Sequence, residues 1–351
     1  MRERRKLVEL WKRGDAVALA TLVRVEGSSY RRPGARLLIG PKGEYAGAIS
    51  GGCLEAEVLR RTQWKVRSGA VMERYSTLFD DAAEIPYGLG CGGVLDLLLE
   101  PAQTPECHAL LQALEDSLHG KSFHVETELP EQGGVFRRTV MPQTPHTSFS
   151  PLLGMEAQTR ANRFLETLLP PLRLVVCGAG DDAQPLVRAA ASMGWRVAVV
   201  DGRAHWARTE RFPEAESVGS SLEELHVQPQ DAVAVMTHSY EQDRKTLCDL
   251  LPRRPLYLGL LGSRHRSALL LAETAATLSW PVARACDRVF APMGLNIGGD
   301  GAESIALATV AEIQACLHGR LPQMRRMTEA NVAEQVARGG SSRYLQTQCA
   351  L

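Results

Sequence analysis

The sequence predicts an α/β chain in which a C-terminal, Rossmann-like doubly wound parallel sheet follows an N-terminal α+β domain. Three observations predict it. Leu174-Val175-Val176 is a short apolar run with β-branched bias, and it turns at once into Gly178-Ala179-Gly180-Asp181-Asp182-Ala183, a G-x-G-x-x-A pattern. Leu186, Val187, Ala190 and Met193 follow at helical spacing, Gly194 stops the helix, and Val197–Val200 reads as a second strand closing on Asp201. Strands and helices then keep alternating, as a parallel sheet with helical crossovers requires.

The totals narrow the classes. The 351 residues suffice for two domains. Hydrophobic residues at 44% and charged residues at 23% give a globular composition. The 40 Lys+Arg balance the 40 Asp+Glu, which gives no support for a nucleic-acid or membrane-surface protein and leaves room for local charged patches. The basic start, Met1–Lys6, leads into an amphipathic helix and not into the apolar core of a signal peptide. No apolar run is long enough to cross a bilayer. The 8 cysteines include no C-x-x-C pair, which disfavours iron–sulfur and structural zinc sites. A cytoplasmic protein with reduced thiols is expected.

Taken in order, the N-terminal domain is read over residues 1–141. Arg2–Arg13 is a helix ended by Gly14, and Ala16–Val25 is a β-rich run. A polar loop rich in turn residues, Glu26–Gly34, leads to a strand at Arg36–Ile39, and Tyr45–Ile49 runs into Ser50-Gly51-Gly52-Cys53. Leu54–Arg67 is a helix and Ala70–Tyr75 a strand. An acidic loop, Ser76–Tyr87, precedes a second glycine-rich turn, Gly88-Leu89-Gly90-Cys91-Gly92-Gly93, and Val94–Leu99 is a strong strand. A helix at Pro105–Leu118 and weaker strands near Phe123–Thr127 and Val135–Val140 complete the domain. Residues 142–158, rich in Pro, Thr and Ser, read as a linker. The Rossmann-like domain is read over 159–320. After its first two strands come strands near Ala215–Val218, Asp231–Met236 and Leu256–Leu261, with helices at Glu241–Leu251, Arg266–Leu278 and Glu303–Leu317. Residues 321–351 form a polar tail.

In a doubly wound sheet the ligand lies at the carboxyl ends of the strands. Gly178 permits the sharp turn there, Gly180 lets the backbone approach a pyrophosphate, and the helix N-terminus offers free N–H groups. Asp201 stands where a ribose-binding acid is expected, with Arg203 beside it. Thr237 and His238, and Ser263 and Arg264, fall at the ends of later strands. Ser263 is equally suited to cap the next helix, and so is His238. Asp243 is a ligand contact or a first-turn helix acid. Asn296 and Asp300, in a glycine-rich loop, would cover the sheet edge. Asp181 would repel a phosphate. The fingerprint alone permits an NAD(P)-dependent oxidoreductase or a nucleotide-sensing interaction protein, but no hydride-transfer constellation beyond His238 accompanies it.

Upstream, Cys53 follows two glycines and immediately precedes a helix, a setting that stabilises a thiolate. Cys91 lies between Gly90 and Gly92, open to a ligand. Each is also compatible with a cysteine in a tight turn. The pair can share one site or form a redox pair. Arg31, Arg32 and Arg36 surround a Pro-Gly turn and suit a phosphate, or a solvated loop.

Several of these segments together carry a resemblance. Gly27–Arg36, Ser50–Glu55, Gly88–Gly93, the Gly178 loop with Asp201-Gly202-Arg203, Thr237-His238, Tyr257–Arg264 and Pro292–Gly298 stand in the order of the XdhC/CoxI family, which the chain resembles from about Ala18 to Gly319. The resemblance implies a cofactor chaperone rather than a catalyst. Such a protein binds molybdenum cofactor, as molybdopterin or its dinucleotide form, assists its sulfuration and delivers it to a xanthine dehydrogenase-type apoenzyme. A cysteine desulfurase-type sulfurtransferase is the implied sulfur source, and a homodimer is expected. On this reading Cys53 and Cys91 meet the molybdenum or carry sulfur. Gly51, Gly52, Gly90, Gly92, Arg31, Arg36, Gly178, Gly180, Asp201, Arg203, His238, Ser263 and Arg264 hold the rest of the cofactor. NAD(P) is the further ligand the fingerprint allows. Asp181 stands where the family often has His.

Overall fold

The computed structural model describes residues 1–52, 54–76, 93–130, 134, 136–143 and 157–320. In chain order its elements begin with α1 (Arg2–Trp11), β1 (Ala18–Gly27), β2 (Arg36–Ile39), β3 (Tyr45–Gly47), α2 (Glu55–Lys65), β4 (Val71–Ser76), β5 (Gly93–Pro101), α3 (Pro105–Leu118), β6 (Ser122–Glu128), β7 (Arg137–Gln143), β8 (Gln158–Arg160) and β9 (Arg163–Leu168). The second half continues with β10 (Arg173–Cys177), α4 (Ala183–Ser192), β11 (Arg196–Val200), β12 (Ser217–Gly219), β13 (Ala232–Val235), α5 (Tyr240–Arg253), β14 (Tyr257–Leu260), α6 (Arg264–Thr277), α7 (Val282–Cys286) and α8 (Ala302–Leu317).

The first sheet is antiparallel, in the order β3-β2-β1-β5-β4. Its central strands are buried on both faces, so they read as continuous apolar runs rather than alternating ones. Leu19 and Leu38 face α1 and α3, packing with Leu7, Leu10, Leu110 and Leu111. Ala20, Leu22, Leu37 and Leu97 face α2, packing with Leu54 and Val58. Thr104 caps α3 by accepting the N–H of Cys107 (3.2 Å), with Pro105 at the first helical position.

The second sheet, β7-β6-β9-β8, is antiparallel and uses chain from both sides of the stretch read as a linker. Strand β9 therefore pairs with β6 in the first half and β8 pairs with β9, although the sequence pattern assigns residues 159–168 to the second. The reason is in the alternation of β9, whose Phe164, Glu166 and Leu168 turn inward. The sheets divide the chain between Leu168 and Arg173. Two buried ion pairs tie the antiparallel sheets together. Arg138 donates to both oxygens of Glu100 (2.9 Å each) with the two side chains 2% and 0% exposed, and Arg36 pairs with Glu166.

The third sheet is wholly parallel, in the order β12-β11-β10-β13-β14. The chain reverses its direction of advance between β10 and β13, which opens a crevice at their carboxyl ends. One face packs Leu174, Val176 and Ala234 against α4 and α8, and the other packs Val175, Val233 and Leu258 against α5 and α6. No helix among the described residues is long and apolar enough to cross a membrane.

Candidate functional site

Two places gather the residues singled out by sequence. The first is the crevice of the parallel sheet. Gly178 adopts φ +123°, its N–H bonds Val200 O (2.8 Å), and a Cβ there would collide with Met236 O. Only glycine lets the β10 and β13 ends approach this closely.

Asp201, where a ribose-binding acid is expected, is engaged by the protein itself. Its carboxylate accepts the N–H of Ala179 (2.8 Å), the N–H of Arg203 (2.9 Å), and two bonds from the Arg203 guanidinium (2.9 and 2.7 Å). Four donors match the roughly four acceptor positions of a carboxylate. Burial alone would raise the Asp201 carboxyl, but Arg203 and the two backbone N–H groups outweigh it, and the group lies below its ordinary range. Asp201 and Arg203, both expected to hold cofactor, bind each other and brace the glycine loop.

The phosphate position is also taken. Asp181 pairs with Arg211 (2.6 Å), which bonds Ala179 O (2.6 Å) and lies 4.3 Å from the centre of the Trp206 ring. Asp182 opens α4 without capping it and turns to His238, whose Nε2 is 2.8 Å from its Oδ2. His238 itself is left-handed, at φ +61°. A side chain at Gly180 would meet Asp182. Asp181 and Asp182 thus both stand in the loop, one paired with Arg211 and the other hydrogen-bonded to the His238 ring. Asp182, Trp206 and Arg211 are not singled out by the sequence patterns. Trp206 and Arg211 lie in the β11–β12 connection, where a tryptophan in a polar loop is the only signal.

Farther along, Thr237 donates its hydroxyl to Asp243 (2.6 Å), and Arg266 lies 2.7 Å from the other Asp243 oxygen, off hydrogen-bond geometry. Asp243 is fully buried, so it braces the β13–α5 turn and does not face a ligand. Ser263 caps α6 by accepting the N–H of Arg266 (3.2 Å), and Arg264 is exposed beside it. Met293 N bonds Leu260 O, which brings the glycine-rich loop with exposed Asn296 and Asp300 to the same end of the sheet.

The second place is a cleft of about 310 Å³ in the N-terminal half, walled by Glu3, Tyr30, Arg31, Tyr45 and the Ser50–Gly52 turn. Glu55, the first residue of α2, shapes that turn. It accepts the N–H groups of Ile49 (3.1 Å) and Ser50 (2.8 Å) and the Ser50 hydroxyl, while Ser50 Oγ accepts from Leu54 N (3.1 Å). Burial pushes the Glu55 carboxyl up, the Ser50 bonds pull it down further, and the net shift is downward. Gly51 lies beneath the Tyr30 ring, and Gly52 is at φ +107° with open space around it. Tyr30 is 76% exposed and Tyr45 is 54% exposed. Arg31 meets Glu3 through both guanidinium nitrogens (3.1 Å for one of them). Arg36, expected at a phosphate, is buried and bonds Gly34 O (3.0 Å) and Glu166, so it holds the sheets together instead.

Cys53, Gly90, Cys91 and Gly92 lie outside the described residues. Their neighbours do not. Gly93 pairs with Gly27 and packs so tightly against Ser28 O that only glycine fits. The loops that carry Tyr30, Gly52 and Gly93 therefore leave the same sheet. The crevice and the cleft are not brought together. Glu3 follows Met1, which packs against Gly194 just beyond the C-terminal end of α4, while the glycine loop sits at the other end of that helix, about 15 Å away.

Comparison with known proteins agrees with this layout. Residues 174–313 match the family model described as the XdhC Rossmann domain, and residues 10–76 match that of the XdhC and CoxI family. A protein of Bacillus subtilis (strain 168), named as a probable xanthine dehydrogenase subunit, is 31% identical over 315 residues, 85% of this chain and 92% of that protein. The molybdenum cofactor insertion chaperone PaoD of Escherichia coli (strain K12) is 26% identical over 310 residues, covering 87% and 85%. A crystal structure described as a xanthine dehydrogenase from Bacillus halodurans superposes with a TM-score of 0.74 at 27% identity, over 94% of this chain and 99% of that one.

Proposed function

The chain belongs to the XdhC and CoxI family, and from that membership we propose how it serves molybdenum-hydroxylase maturation. Its role is that of an accessory protein, and molybdenum cofactor is its cargo. The N-terminal cleft takes the pterin end of that cargo.

The observation that carries this reading is the Ser50–Glu55 turn. It presents open backbone at Gly52, immediately before Cys53, on the wall of a cleft that also offers Tyr30, Tyr45 and Arg31. The donor set fits the cargo. An aromatic face suits a flat pterin, a guanidinium suits its phosphate, and thiolates suit its metal. Cys91 stands two residues before Gly93 in the sequence, and Gly93 is anchored beside Gly27. We place Cys53 and Cys91 at the molybdenum end, as ligands or as carriers of the terminal sulfur that a cysteine desulfurase-type partner supplies. The crevice supports the role less directly. With Asp201 held by Ala179 and Arg203, and with Asp181 and Asp182 in the glycine loop, it lends an NAD(P) enzyme less support. A nucleotide would have to displace a carboxylate there.

The test is retention of cargo. Protein purified from cells that make the cofactor is expected to carry pterin and molybdenum. Cys53→Ser with Cys91→Ser should lower molybdenum occupancy about tenfold or more while leaving the fold intact by circular dichroism. Full occupancy in the double variant would remove the thiols from the site, and absence of pterin from the wild-type protein would overturn the cargo reading itself.

A further inference from the structure

Seven of the fourteen arginines between Arg173 and Arg320 are matched to a carboxylate among the described residues. Arg173, Arg196, Arg203, Arg211, Arg244, Arg253 and Arg266 each have one. One corner gathers three of the others around a tryptophan and its neighbouring turn. Arg284 lies 3.8 Å and Arg288 5.5 Å from the centre of the Trp280 ring. Arg254, left-handed at the end of α5, adds a third positive charge within electrostatic reach of Arg288. None of the three is ion-paired among the described residues; Asp287 is the nearby acid, and Arg253 is already held by Asp249 (2.7 Å). Partial burial, then Arg254 and Arg284, lower the Arg288 pKa, so the three cations repel one another in the free protein. Pro281, Val282 and Cys286 are exposed alongside. This corner lies where the chain enters β14 and its neighbour at Phe290, at the opposite end of the sheet from the glycine loop, and plays no part in the crevice.

We propose that Trp280, Val282, Arg254, Arg284 and Arg288 form a docking surface for an acidic segment of a protein partner. Resting on the function above, that partner is the apo molybdenum hydroxylase that receives the cargo. Tryptophan and arginine are the residue types that dominate binding energy at interfaces. Clustered like charges that repel in the free chain are relieved by an acidic partner, and they steer its approach. A nucleic acid fits less well, because phosphate-tracking surfaces spread many cations along a groove. Here two cations sit over one ring, a third lies within electrostatic reach, and an apolar shelf adjoins them.

The experiment uses the full chain and its purified apoenzyme. Arg284→Glu with Arg288→Glu should weaken the complex about 30-fold or more, and raising the salt from 50 to 300 mM should weaken the wild-type complex about tenfold. Melting temperature and pterin content should stay unchanged, because neither residue touches the cleft. The charge-preserving Arg284→Lys/Arg288→Lys variant should retain most of the affinity. Equal affinity for the reversed and wild-type chains overturns the proposal. So does a wild-type chain that fails to bind the apoenzyme, and so does wild-type binding to a DNA duplex that the reversed variant loses. Pterin content separates the two readings. If the wild-type chain carries pterin but the patch is silent, the docking surface alone is wrong. If binding depends on the patch and no pterin is carried, the cargo reading is wrong.

Discussion

At the scale of single residues, the same charges serve as both structure and obstacle. Glu3 sits on Arg31 at the mouth of the cleft, where a phosphate of the cargo would otherwise bond. Both side chains are partly exposed, so the pair is worth no more than about 1 kcal/mol. Glu3→Gln should therefore tighten cargo binding about two- to fivefold, read as the dissociation constant for isolated cofactor in a fluorescence titration. Unchanged affinity would mean that Arg31 does not reach the phosphate. Gly178 is legible in the sequence because a turn beside a strand demands a residue without Cβ. The fates of Arg36 and Asp201 are not. Arg36 meets Glu166 130 residues away, and Asp201 is saturated by a backbone N–H and by Arg203, a neighbour expected to share a ligand with it.

At the scale of elements, the turn ahead of α2 is held by one carboxylate. A lowered Glu55 pKa means that the folded state favours the charged form. Its contribution is whole above the ordinary glutamate range near about 4.3. It fades as the pH falls through the lower folded value. Glu55→Gln should cost about 1–3 kcal/mol at pH 7. The gap between variant and wild type should narrow in urea unfolding as the pH is lowered below the ordinary glutamate range and Glu55 takes up its proton. A gap independent of pH would show that packing, not charge, fixes the turn. The strands and helices of the parallel sheet are readable from periodicity alone. The partnership of β9 with β6 is not, because pairing across an irregular stretch leaves no mark on local sequence.

At the scale of the whole molecule, the two antiparallel sheets are joined by charges taken fully out of water. Removing one member of such a pair leaves the other stranded. Glu100→Ala should destabilise the protein by about 3–5 kcal/mol in chemical denaturation. Replacing Glu100 and Arg138 together with apolar residues should recover much of that loss. If the single and double variants lose the same amount, the pair is not the link. This connection, like the division of the chain between β9 and β10, belongs to the tertiary structure and has no sequence motif.

The opening residues of α1 have a practical consequence. Met1 packs against Gly194, Arg4 bonds Leu169 O (2.6 Å) and Ser117 (2.8 Å), and Glu3 sits in the cleft between them. The Arg4 guanidinium is buried deeply enough to bring its pKa down to about 10, with Arg36 adding to the effect. Four consecutive residues thus work as a latch across both halves. A fragment trimmed to start at the first strand would keep every sheet and yet lose this fastening.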